Sequence, residues 1–104
     1  MNHKNIKPAE FERLSKEENT EIIDVRSPEE EVEGFIEGAT VINIMGPDFA
    51  DKINELDTDK TYLVYCRSGN RSSTACGFMS SNGFDKLYNL EGGIQAWNQY
   101  QNTK

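Results

Sequence analysis

Apolar positions along the chain fall into short runs whose spacing alternates between that of a strand and that of a helix. Residues 21–25 (EIIDV), 41–44 (VINI), 61–65 (TYLVY) and 87–90 (LYNL) are too short for ordinary helices and rich in β-branched or aromatic residues, so they predict four strands. The 61–65 run has little polar alternation, as expected of a central strand covered on both faces. Between these runs the period becomes helical. Phe11 and Leu14 share a face behind Pro8, and Ser27-Pro28-Glu29-Glu30 reads as an N-cap, a first-turn proline and a capping-box glutamate. Phe49, Ile53 and Leu56 follow Gly46-Pro47 at helical spacing. Ala75, Cys76, Phe78 and Met79 lie on one side of a helix over residues 72–82 that Gly83 closes, and Ile94 and Trp97 anchor a last helix. Strands alternating with helices imply an α/β fold with a mostly parallel sheet.

Composition narrows the class. A length of 104 residues suits one domain over residues 1–104, with the polar stretch 99–104 expected to fray. Lys and Arg number 11 against 18 Asp and Glu, and a net charge of −7 repels nucleic acid and anionic membranes. The longest apolar run, residues 62–66, is far too short to span a bilayer, and the first residues lead into no apolar leader. A cytoplasmic monomer is expected. Two cysteines and one histidine make neither a disulfide framework nor a conventional zinc site, so no metal or cofactor is expected and cysteine chemistry falls to a free thiol.

Ligands of open α/β sheets bind beyond the carboxyl ends of the strands. Arg26, Arg67 and Arg71 fall at such ends, while Arg13 lies on a helix, so this edge is a candidate anion site; pairing with the abundant carboxylates is the plainer alternative. Cys66 sits between the buried strand and the loop Arg67-Ser68-Gly69-Asn70-Arg71, whose N–H groups, with the following helix N-terminus, would point at its sulfur. Lowering a thiol pKa from 8.5 to about 7 takes roughly 2 kcal/mol of preferential thiolate stabilisation. A helix end alone supplies ~0.3–1 kcal/mol, leaving the rest to N–H···S contacts and arginines. An inert buried cysteine is the competing reading of Cys66. Cys76, on the apolar side of its helix, reads as core; terminal His3 reads as a solvated bystander; Gly69 allows tight loop curvature.

Tyr65-Cys66-Arg67-Ser68-Gly69-Asn70-Arg71-Ser72 resembles the active-site loop of single-domain rhodaneses, a family of sulfurtransferases. Residues 22–30 (IIDVRSPEE), 34–39 (GFIEGA) and 90–97 (LEGGIQAW) are similar to three further signatures of that family, in the same order, so the likeness covers nearly the whole chain. Phe35 stands where the second signature usually has histidine. The resemblance implies a rhodanese-like three-layer sandwich whose central five-stranded sheet is flanked by helices, with Asn5-Ile6 in the extra edge strand. It also implies that Cys66 takes a sulfane sulfur from thiosulfate or another persulfide, then yields it to cyanide, a cellular thiol or a protein acceptor. Arg67 and Arg71 would bind the donor's anionic group, the N–H groups of Ser68, Gly69, Asn70 and Arg71 would hold the persulfide, and Asp24 and Arg26 would brace the loop.

Two other functions compete. Cysteine phosphatases and arsenate reductases place five residues between cysteine and arginine, whereas Cys66 and Arg71 are separated by four and Ser72 takes the arginine position. The shorter loop leaves less room for a tetrahedral oxyanion. A docking or regulatory module without turnover is the other alternative, against which the cysteine in an intact loop argues.

Overall fold

The computed structural model describes residues 3–104. Five strands, β1 (His3–Ile6), β2 (Thr20–Asp24), β3 (Thr40–Val41), β4 (Thr61–Tyr65) and β5 (Leu87–Leu90), form one all-parallel sheet in the order β1-β5-β4-β2-β3. Helices α1 (Pro8–Leu14), α2 (Phe49–Asn54), α3 (Asn70–Ser81) and α4 (Gly93–Asn102) cover its faces, and a 3-10 segment, Pro28–Glu33, follows β2. The α/β architecture thus has its fifth strand at the edge, where β1 pairs with β5.

Central β4 is apolar on both faces and divides its side chains between two cores. Tyr62, Val64 and Cys66 pack with Ala75, Cys76 and Met79 of α3 and with Phe49 and Ile53 of α2. Leu63 and Tyr65 pack on the other side with Phe11 of α1 and Ile94 of α4, where Trp97 joins them. Period-two alternation therefore decides that Cys66 faces α3 and that the Tyr65 ring lies beneath α1 and α4. Each large apolar side chain so buried contributes about 1.5–3 kcal/mol.

Some elements differ from expectation. The predicted helix from Pro28 is a 3-10 segment with no buried side chain, although its capping box at Ser27 and Glu30 forms. Four of its six residues are glutamates and Val32 points to solvent, so it has no apolar face whose burial would stabilise a full α-helix. The 41–44 strand shortens to Thr40–Val41 because Asn43 turns the chain: its side chain accepts from the Met45 N–H at 2.9 Å and its carbonyl from the Gly46 N–H at 2.9 Å. Helix α3 starts at Asn70, two residues earlier than expected, directly after left-handed Gly69. Residues 99–102 are helical, anchored where the Tyr100 hydroxyl and Lys104 Nζ donate to Glu12 at 2.7 and 2.8 Å. His3 is half-buried in β1 with Nε2 3.3 Å from Ser73 Oγ, so it is no solvated bystander.

Candidate active site

Parallel pairing brings Asp24 of β2 beside Tyr65, and Val64 beside Asn89 of β5, so the chain leaves the sheet at Cys66 between two neighbouring strand ends. Cys66 is 1% exposed. The loop reverses at Gly69, whose φ of +105° suits glycine, and its N–H donates to Cys66 Sγ at 3.1 Å. Ser72, buried in the first turn of α3, places its hydroxyl oxygen 3.3 Å from the same sulfur.

Two further elements pin the loop from outside. Asn89 donates through Nδ2 to the Gly69 carbonyl at 3.2 Å and to Asn5 Oδ1 at 2.9 Å, while its Oδ1 accepts from the Ser72 hydroxyl. At the start of α4, Ile94 N–H donates to the Cys66 carbonyl at 2.9 Å and Gln95 N–H to the Arg67 carbonyl at 3.3 Å. Gly93 makes this approach possible: at φ +62°, a Cβ there would lie 2.6 Å from the Cys66 carbonyl oxygen.

Burial pushes the Cys66 thiol up, but hydrogen bonds from the Ser72 hydroxyl and from the N–H groups of Ser72, Gly69 and Ser68 outweigh it, and its pKa is lowered. Ser72 carries one hydroxyl proton, so Asn89 and the sulfur compete for it. With a thiol, Ser72 donates to Asn89 and can accept from S–H; with a thiolate, the hydroxyl can turn towards the sulfur. Cys76 has no such donors, and burial pushes it up to about 12.

The arginines occupy three different environments. Arg26 is fully buried, pairing with Asp24 at 2.8 Å and donating to the carbonyls of Glu30 and Gly34 at 3.1 and 2.9 Å. Tyr65 adds to this network, its hydroxyl donating to Asp24 at 2.9 Å and accepting from the Ile36 N–H at 3.1 Å. Asp24 and Arg26 thereby tie the 3-10 segment to the sheet edge. Arg71 grips Glu30 with two 2.8 Å bonds, and these, with the bonds from Ser27, hold the Glu30 carboxyl at about 2. Arg67 pairs with Glu33 at 3.1 Å, both partly exposed. The arginines beside the sulfur thus face glutamates, and direct contacts to Sγ come from Gly69 and Ser72.

Residues 7–100 match the Rhodanese-like domain family. The chain belongs to this family. YtwF of Bacillus subtilis is 42% identical to it over 86 residues, covering 83% of this chain and 81% of the relative. The thiosulfate sulfurtransferase GlpE of Pseudomonas entomophila is 33% identical over 96 residues, covering 86% of each chain. A rhodanese-related protein of Thermoplasma volcanium, solved by crystallography, superposes with a TM-score of 0.81 at 34% identity, covering 93% of this chain and 92% of that one. The five-stranded parallel sheet flanked by helices is the rhodanese-like fold, and the chain is a rhodanese-like protein related to GlpE and YtwF.

In this rhodanese-like domain several site-forming residues escape a reading of the sequence. Asn89 left a faint trace, a lone amide in an apolar strand, but nothing local tied it to Ser72 and Gly69 across the sheet. Glu30 shows in the sequence as a capping-box residue and Gly93 only as part of the 90–97 segment; their further roles come from contacts made at long range. Exposed Ser68 and Asn70 continue the loop into α3. An open cleft of about 210 Å³ lies beside the loop, lined by Asn5, Ser73, Asn89, Glu91 and the loop itself, but Cys66 does not line it. Among the described residues, no group of three or more His, Cys, Asp or Glu side chains is placed to hold a metal ion, and no helix is long and apolar enough to cross a membrane.

Proposed function

We propose that this chain transfers a sulfane sulfur through a persulfide on Cys66. The supporting observation is a buried sulfur that is nevertheless easier to ionise than an ordinary thiol, because N–H and hydroxyl donors converge on it. In the first half-reaction the Cys66 thiolate attacks the outer sulfur of thiosulfate, or of another persulfide. A new S–S bond forms, the donor's S–S bond breaks, and sulfite or a carrier thiolate leaves with the electron pair. The persulfide carries the negative charge outward, where the N–H groups of Ser68, Gly69, Asn70 and Arg71 stabilise it as an oxyanion hole stabilises developing charge. In the second half-reaction cyanide or a thiolate attacks that outer sulfur and returns Cys66 as thiolate. Two half-reactions at one sulfur give ping-pong kinetics.

Arg67 and Arg71 bind the donor's anionic group when their pairs with Glu33 and Glu30 open, while Asp24 and Arg26 hold the segment carrying those glutamates. Relatives named thiosulfate sulfurtransferases support thiosulfate as a donor. The test is intact mass after incubation with thiosulfate and removal of excess donor. Wild type and Cys76→Ser gain one sulfur atom that cyanide removes, whereas Cys66→Ser gains none. A folded wild type that gains no sulfur from thiosulfate or from a persulfide donor overturns this reading in favour of a docking module without turnover.

A further inference from the structure

The large apolar side chains exposed among the described residues are Val32 at 91%, Met45 at 79% and Phe35 at 56%, and all lie in the loops that leave the carboxyl ends of β2 and β3, the sheet edge that holds Cys66. None of the three contributes to the core, and all belong to the two connections at the carboxyl edge of the sheet, where apolar side chains left in water are open to a partner. The face abuts the sulfur loop: Glu30 and Glu33, which bracket Val32, pair with Arg71 and Arg67, and Ile44, next to Met45, donates its N–H to the Val25 carbonyl at 3.0 Å.

Its charge is one-sided. Residues 25–48 contain six acidic residues and one basic residue, Arg26, which is spent on buried Asp24. Glu30 and Glu33 neutralise the two loop arginines, which leaves exposed Glu29, Glu31 and Glu37 without an ion-pair partner among the described residues. Such a surface attracts a cationic polypeptide.

We propose that Val32, Phe35 and Met45, with Glu29, Glu31 and Glu37, form the docking face for a basic, apolar-tipped protein segment whose cysteine takes the sulfur from Cys66. This rests on the Cys66 persulfide reading and names its acceptor class. The acceptor thiolate attacks the outer sulfur of the Cys66 persulfide; the S–S bond to Cys66 breaks, a new one joins that sulfur to the acceptor, and Cys66 leaves as thiolate. One thiolate is consumed and one released, so no oxidant or reductant is needed.

The experiment uses the full chain, loaded with sulfur from thiosulfate and freed of excess donor, and two synthetic peptides carrying one cysteine between leucines, flanked by lysines in one and glutamates in the other. The rate of sulfur loss is read by mass and normalised to each peptide's reaction with a small disulfide, which removes differences in intrinsic thiol reactivity. The lysine peptide reacts roughly tenfold or more faster at low salt, and the gap collapses at roughly 0.5 M salt, where screening shortens charge interactions to ~4 Å. Replacing Glu29, Glu31 and Glu37 together by Gln closes the gap to within about twofold, as expected for loss of electrostatic attraction. Val32→Ser with Met45→Ser slows both peptides about threefold or more while leaving transfer to cyanide unchanged, since contacts at a docking face act on the bulky acceptor alone. Equal normalised rates for the two peptides, or a gap that survives the glutamine variant, overturns the docking face while the persulfide reading stands. Failure of the wild type to load sulfur overturns both, and is recognised at the loading step before any peptide is added.

Discussion

Cys66 and Cys76 are both buried, 1% and 0% exposed, and face the same core, yet their acidities move in opposite directions. Burial penalises either thiolate. What separates them is the backbone nearby: Cys66 ends a strand where Gly69 and the first turn of α3 turn N–H groups and a hydroxyl towards the sulfur, whereas Cys76 sits mid-helix where N–H groups are already bonded to carbonyls. A cysteine in this fold is made acidic by donors that the helix and strand leave free, not by exposure.

The sharpest break of this comparison is replacement of each sulfur. Cys66→Ser reduces sulfur transfer to background, and Cys76→Ser retains most of it while lowering stability by about 1–3 kcal/mol for a buried hydroxyl without a partner. Steady-state transfer and a thermal melt read both; equal loss of activity in two folded variants would contradict the assignment.

Next in size is Gly93→Ala. The added methyl drives into the Cys66 and Arg67 carbonyls at a left-handed φ, so α4 withdraws, the loop loses its brace, and stability falls by roughly 1–3 kcal/mol. Activity is expected to fall more steeply than in Cys76→Ser at matched stability, which isolates loop geometry from general destabilisation.

Ser72→Ala makes Cys66 more like Cys76. Transfer rate in the wild type rises with pH as the thiol ionises, with a midpoint below that of a free thiol; the variant's midpoint moves up, its rate at neutral pH falls by about tenfold or less, and its high-pH plateau is retained. An unchanged midpoint would show that the hydroxyl proton stays on Asn89.

The smallest effect concerns Arg71. Arg71→Ala raises KM for thiosulfate by roughly three- to tenfold with less effect on an uncharged donor, in keeping with loss of one partly buried charge contact. It also returns Glu30 towards an ordinary carboxyl. Because Glu30 is depressed to about 2 in the folded chain, the unfolded chain binds more protons between there and ~4.3, and wild-type stability rises with pH across that window. Acid titrations of the two proteins should differ there and run parallel above it; curves parallel throughout would show that the pair adds nothing to folding.

Residues with strong local signals are legible in the sequence alone. The four strand cores and the helices behind Pro8 and around Ile94 and Trp97 follow from apolar period, and the loop from Cys66 to Arg71 stands out by its position after a doubly buried strand. The 3-10 segment carries genuine capping signals at Ser27 and Glu30 that predict an α-helix, but a cap starts a helix without supplying the apolar face that sustains it. Strand β3 is shorter than the sequence predicts because Val41, Ile42 and Ile44 have β propensity that a single Asn43 side chain overrides.

Short-range chemistry in this chain was enough for an α/β fold, a thiol at a strand end and a glycine that turns the loop after it, because strand period, turn residues and helix starts act over a few neighbours. Which partner each charge meets was beyond its reach. Arg71 belongs to Glu30 across 41 positions, and Ser72 to Asn89 across 17. Such pairings exist because parallel strands align their carboxyl ends and bring distant loops to one edge, where Coulomb attraction and single-proton hydrogen bonds choose among groups that the linear order keeps apart.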